Sequence, residues 1–219
     1  MKQNIKQLLL RVLMLLIGLT VAHLGVTLFL LADLGADPFN VCVQGVFRSM
    51  QKIISHPLLT HGNVHVCISL MIILILLIVD RSYVRIGTLL CMILGGPIID
   101  VFSLLLSPLF QTMNSLPFKL VMLALGCVIL AMGMSLVIKS NAGTGPNDLV
   151  AVVISDKSKA KFSIIRVAVD FSFIAMGWLL GGSVGIGTVI CAFLVGPVAG
   201  FFLPKSEKLV HWALEKSGL

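Results

Sequence analysis

A chain of 219 residues with 58% hydrophobic and 11% charged side chains and a mean hydropathy of +1.09 could not fold in water without exposing large apolar patches, so a soluble domain is excluded and lipid is its solvent. The formal charge of +7 comes from basic residues at the ends of apolar runs, with no basic patch interleaved with aromatics. Nucleic acid is therefore excluded as a partner, and the lipid bilayer is implied.

Crossing a hydrocarbon core near 30 Å takes about twenty helical residues. The first apolar run, 12–32, follows Lys2, Lys6 and Arg11. It is longer than the apolar region of a signal peptide and no small-x-small site follows it, so it reads as an uncleaved first span. His23 lies inside it near Thr20 and Thr27, as a hydrogen-bonded packing residue or, alternatively, a proton relay. Segment 38–54 carries Asn40, Gln44 and Arg48 at i, i+4 and i+8, a polar stripe that suits a short helix better than a full crossing. Spans follow at 64–79, 86–106, 117–138, 163–181 and 185–203. Between the fourth and fifth, segment 146–156 offers only Leu149–Ile154 as an apolar stretch, far short of a crossing. His61 and His65 have metal-pair spacing, but no carboxylate or cysteine accompanies them in their loop, and no metal is expected there. The five cysteines lack C-x-x-C spacing and read as small packing residues.

The chain repeats itself. Arg11, Gly18, Gly25, Thr27, Asp33, Gly35 and Pro38 recur 108 positions later as Lys119, Gly126, Gly133, Ser135, Asn141, Gly143 and Pro146. Ile86-Gly-Thr88 and Gly96-Pro97 recur 100 positions later as Ile186-Gly-Thr188 and Gly196-Pro197. The expected architecture is an all-α polytopic membrane protein within one membrane domain, 1–219. It has six transmembrane helices in two three-helix repeats, 11–107 and 119–204, followed by a cytoplasmic tail, 205–219. Three spans per repeat is an odd number, so the second copy enters from the opposite side and the repeats are inverted. Each contains a short re-entrant or interfacial helix after its G-x-x-P motif. If both short segments crossed fully, eight spans in parallel repeats would result instead. The distribution of Lys and Arg puts both termini in the cytoplasm.

Three constellations carry chemistry. The first is the pair of turns Asp33-Leu-Gly35-Ala-Asp-Pro38-Phe-Asn40 and Asn141-Ala-Gly143-Thr-Gly-Pro146-Asn-Asp148, each opening a short helix with proline at a favoured first position and free N–H groups beyond it. Asp33, Gly35, Pro38, Asn40, Asn141, Gly143, Pro146 and Asp148 are the candidate substrate or ion contacts; the competing reading is plain capping and tight turning. The second is Gly96-Pro97 with Gly196-Pro197, read as helix breaks that free a backbone carbonyl, or as packing kinks. The third is the set of charges inside spans, Asp100, Arg166 and Asp170. Arg166 and Asp170 stand at i, i+4 and form an intramembrane ion pair or snorkel to the cytoplasmic rim. Val66 and Leu70 occupy the corresponding places of the first copy, so this pair has no symmetric partner. No nucleophile elbow, Walker loop, dinucleotide fingerprint or H-E-x-x-H is present, and an enzyme is not expected.

At Gly143-Thr-Gly-Pro-Asn-Asp148 and across Gly177–Pro197 the chain resembles the YczE/YyaS/YitT group of bacterial membrane proteins. The resemblance extends over most of the chain and implies residence in the bacterial plasma membrane. The resulting expectation is a small secondary transporter or permease-like protein for an unknown small molecule or ion, without cofactor; a homo-oligomer is compatible with it. The alternative is a non-transporting membrane scaffold or regulatory subunit whose glycines serve packing only.

Overall fold

The computed structural model describes residues 5–35, 37–53, 61–113 and 115–217. Among them the chain forms eight α-helices: α1 (Ile5–Ala32), α2 (Pro38–Gln51), α3 (His61–Asp80), α4 (Ile86–Thr112), α5 (Leu116–Ser140), α6 (Pro146–Ser158), α7 (Phe162–Leu179) and α8 (Ile186–Lys216), with a 3-10 turn at Arg81–Tyr83. Six are long and apolar enough to cross a membrane: α1, α3, α4, α5, α7 and α8. Their outward faces suit lipid, with Ile78 87% and Leu104 78% exposed.

The centre is the pair α1 and α5, whose crossing is built from glycine. A Cβ on Gly18 would lie 2.9 Å from the carbonyl oxygen of Gly133, and one on Gly25 would lie 2.5 Å from that of Gly126. Only a bare backbone fits at that separation. The contacts pair an early residue of α1 with a late residue of α5 and the reverse, so the two helices run antiparallel. At one end of the pair the Arg11 guanidinium donates to the carbonyl of Ser140 at 3.0 Å. Around this pair, α4 lies along α1 and α8 along α5. The short helices α2 and α6 pack with α3 and α7 around Phe39, Val43, Ile68, Leu149 and Phe173.

One expectation needs correction. The prolines at 97 and 197 do not break their helices: α4 runs through Pro97 and Pro108, and α8 through Pro197 and Pro204. Each proline lacks an N–H, so the effect is confined to a carbonyl one turn back. Within the segment expected as a tail, α8 continues to Lys216. Val210 and Leu214, one turn apart on one face of that extension, are buried against Met14 and give the segment a reason to stay helical.

Candidate functional site

Each turn is locally encoded. Asp33 and Asn141 adopt left-handed backbone, with φ of 52° and 59°, and Gly35 and Gly143 follow with φ of 129° and 141°. Aspartate and asparagine tolerate the first conformation, and glycine alone tolerates the second. Proline then starts each short helix, as its fixed φ and missing N–H allow. Asp37 caps α2 through the backbone N–H of Asn40 at 3.3 Å and also accepts from the Asn40 amide at 2.6 Å.

The turns dock on the opposite halves of the chain in matching fashion. Gly187 N–H donates to the carbonyl of Leu34 at 2.8 Å, and Gly87 N–H donates to that of Ala142 at 2.9 Å. Leu34 and Ala142 differ by 108 positions, and Gly87 and Gly187 by 100. Thus the Gly-Thr element of each half receives the turn of the other. Thr88 and Thr188 close these helix starts by accepting from the N–H of Arg85 at 3.4 Å and Gly185 at 3.2 Å.

The side chains diverge. Asp148 accepts from the Arg166 guanidinium and from Asn147 at 3.1 Å. Arg166 Nε also donates to Asp170 at 3.0 Å. Arg166 and Asp170 are 6% and 1% exposed, so the pair is interior and does not snorkel to the rim. Asp170 Oδ1 is buried with no hydrogen-bond partner among the described residues. Val66 and Leu70, the corresponding positions of α3, are nearly half exposed.

Helix α7 brings the two short helices together. Phe39, second in α2, stacks edge-on against Phe173 at 5.3 Å, while Asp148, third in α6, pairs with Arg166. Those two α7 positions are two turns apart, which separates the starts of α2 and α6 by about 10 Å along its axis. Asp170 lies between them, at the middle of the 18-residue helix. It is within Coulombic reach of both Asp37 and Asp148, as is His23 of α1. The His23 ring is fixed by Nδ1 donating to the carbonyl of Leu19 at 2.8 Å, with Nε2 turned toward Gly95.

Of the residues singled out in the sequence, Asp148 lies against α7 through Arg166, while Asn40 pairs with Asp37 at the start of α2. Gly35, Gly143, Pro38 and Pro146 shape the backbone, and Asn141 is bound by the Arg85 guanidinium at its carbonyl and side-chain oxygens. Asp33 contributes its left-handed turn. Gly96 and Gly196 lie in the helices outside this cluster. The side chains of Asp100 and His61 fall outside the described residues, among which no group of three or more metal-ligating side chains is gathered. Sequence reasoning missed the link between Asp148 and Arg166, because residues 18 apart on separate helices share no periodicity.

A cavity of about 410 Å³ adjoins the second turn, lined by Arg11, Arg85, Lys139, Asn141, Thr144 and Glu207 among others. It draws on both halves and sits at the charged end of the α1–α5 pair. The Oγ1 of Thr144 and Nε of Arg11 are buried there without partners among the described residues.

Six apolar helices and a buried charged cluster at mid-helix define a multi-pass membrane protein. The chain belongs to the family of unknown function DUF6198, whose profile matches residues 9–204. It is 28% identical over 200 residues to the uncharacterised membrane protein YczE of Bacillus subtilis (strain 168), covering 91% of this chain and 88% of that one. An uncharacterised protein of Haemophilus influenzae is 28% identical over 204 residues, with 92% and 87% covered. The uncharacterised protein YyaS of Bacillus subtilis is 26% identical over 192, with 88% and 92% covered. No solved structure matches the chain.

Proposed function

We propose that the protein is a small secondary transporter of the bacterial plasma membrane, built from two inverted repeats, with its site on α7 between the starts of α2 and α6. The observation that carries the reading is this convergence: the start of α2 meets α7 through Phe39, with Asp37 and its partner Asn40 beside it, and the start of α6 meets α7 through Asp148, which joins the buried ion cluster. Ionised groups inside a membrane are costly and are kept where a pathway or ligand needs them. The antiparallel α1–α5 pair and the crossed hydrogen bonds at Leu34 and Ala142 support the inverted arrangement, which many transporters use to form one site from two broken elements. The cavity beside Thr144 adjoins the second turn, a few residues before Asp148.

The orientation proposed has both termini cytoplasmic. Cysteines introduced at the exposed positions Ser82 and Ser158 should then label from inside and at Ser183 from outside, in a background where the exposed Cys67 has been replaced. External labelling at Ser82 would reverse the orientation.

Transport itself is tested by an uptake screen of metabolites and ions in reconstituted vesicles. Asp148→Asn and Asn40→Ala should lower any uptake found while leaving the extracted protein folded, since neither opens a core cavity and Arg166 keeps Asp170. If both variants retain wild-type uptake, the site is wrong; if no uptake exists for the wild type, the scaffold or regulatory-subunit reading takes over.

A further inference from the structure

The three charged groups on and beside α7 do not balance. Asp148 and Asp170 contribute two negative charges and Arg166 one positive, and the three side chains are 18%, 1% and 8% exposed. Arg166 spends Nη1 on Asp148 and Nε on Asp170 Oδ2. That leaves Asp170 Oδ1 buried without a donor among the described residues. Among the described residues the neighbouring elements add no Lys or Arg to balance it, and the titratable base nearby is His23 of α1, within Coulombic reach of Asp37 and Asp148. Asp37, ahead of α2, places a further carboxylate within Coulombic reach of Asp170; α6 contributes Asp148, and α8 the thiol of Cys191. An uncompensated carboxylate in an interior is strongly disfavoured, and the remedy is a proton or a bound cation.

We propose that Asp170 Oδ1 is the binding point for one monovalent positive charge, H+ or Na+, at the middle of α7. The enclosure of that oxygen limits the charge to a proton or, at most, a bare monovalent ion, and excludes an organic cation. The location gives the charge a consequence. Asp170 stands between the starts of α2 and α6, so neutralising it changes the field at both turns together. The inference builds on the shared site proposed above but needs no transport for its test. A protein that binds the charge yet moves nothing would overturn the transporter reading alone.

The test uses the purified full chain in detergent. Thermal midpoints are measured in sodium chloride against choline chloride at constant ionic strength, and across a range of pH. A ligand bound by the native state alone raises the midpoint, and a proton bound by it alone does so as pH falls. In the sodium arm, Na+ raises the midpoint by several degrees over choline; in the proton arm, acidification raises it with uptake of one proton per chain. Asp170→Asn should lose whichever dependence the wild type shows. Because the variant could fail to fold, dicyclohexylcarbodiimide is applied to the wild type as well, since it modifies protonated carboxyls in apolar surroundings. Mass spectrometry should find the adduct on Asp170, suppressed by Na+ in the first arm and by alkaline pH in the second. Midpoints in wild type indifferent to Na+ and to pH, with Asp170 unmodified, would overturn the proposal.

Discussion

The two halves of the chain share a backbone and differ in charge. Both turns use a left-handed Asp or Asn, a glycine at φ above 120° and a helix-starting proline, and both dock on the Gly-Thr start contributed by the other half. In the first half Asp37 is engaged by its own neighbour Asn40. In the second, Asp148 reaches a different helix and joins Arg166 and Asp170. Duplication thus supplies a scaffold, and the divergence of a few side chains turns one face of it into an ionic site. This separation explains why the charged face of α7 is buried while Val66 and Leu70 of α3 face outward.

The largest expected effect breaks the charged half of that comparison. Arg166→Ala leaves Asp148 and Asp170 buried without their cation and should cost about 3–5 kcal/mol. Asp170→Asn should cost far less, since Arg166 and Asp148 remain as a neutral pair. The i, i+4 spacing alone predicts the opposite emphasis, with Asp170→Ala stranding Arg166 and the double Ala variant recovering part of the loss; Asp148 alters both outcomes. Denaturant titration in mixed micelles measures the difference, and equal losses for Arg166→Ala and Asp170→Asn would show the cluster to be solvated.

Next comes the shared backbone. Gly35→Ala and Gly143→Ala should each cost about 3 kcal/mol, from non-glycine strain at positive φ and the clash that follows. A Cβ at Gly143 would lie 2.4 Å from the backbone nitrogen of Thr88, and one at Gly35 would lie 2.6 Å from Thr188 Oγ1 and 2.9 Å from Gly185. The effects should be similar, with Gly143 the more severe because its first obstacle is backbone. Yield of monodisperse protein after extraction reads this directly; a tolerated alanine at only one of the two would mean that the turns are not equivalent.

How legible this was depends on the range of the interactions. Spans and short helices are local matters of hydropathy and length, so the run 117–138 and the short segment 146–156 anticipate α5 and α6 to within a few residues. The turns were legible because glycine and proline carry backbone geometry in their identity. The Asp148–Arg166 pairing was not, because it depends on how α6 leans on α7, and no local pattern encodes that. The extension of α8 escaped because hydropathy falls after Leu203, while the apolar stripe of Val210 and Leu214 gains its meaning only from Met14 on a distant helix.

The smallest effect tests whether the likeness of the halves extends to the Gly-Pro elements. Gly96 and Gly196 hold corresponding places, each before a proline inside a continuous helix. A Cβ at Gly196 would lie 2.7 Å from the carbonyl oxygen of Ser163 and 2.9 Å from Val167, because α8 packs tightly on α7. At Gly96 a Cβ would meet nothing within 4 Å, because none of the described residues packs on this face of α4. The restriction that proline places on the residue before it is common to both sites. The difference between the two alanine variants therefore isolates packing. Gly196→Ala should lose about 2 kcal/mol, while Gly96→Ala should stay within about 1 kcal/mol of wild type, since the higher helix propensity of alanine offsets the crowding at proline. If the two variants lose stability equally in the same micelle titration, α4 is packed against a protein surface of its own, and a second copy of the chain becomes the first partner to test by cross-linking along Ile93, Leu104 and Leu105.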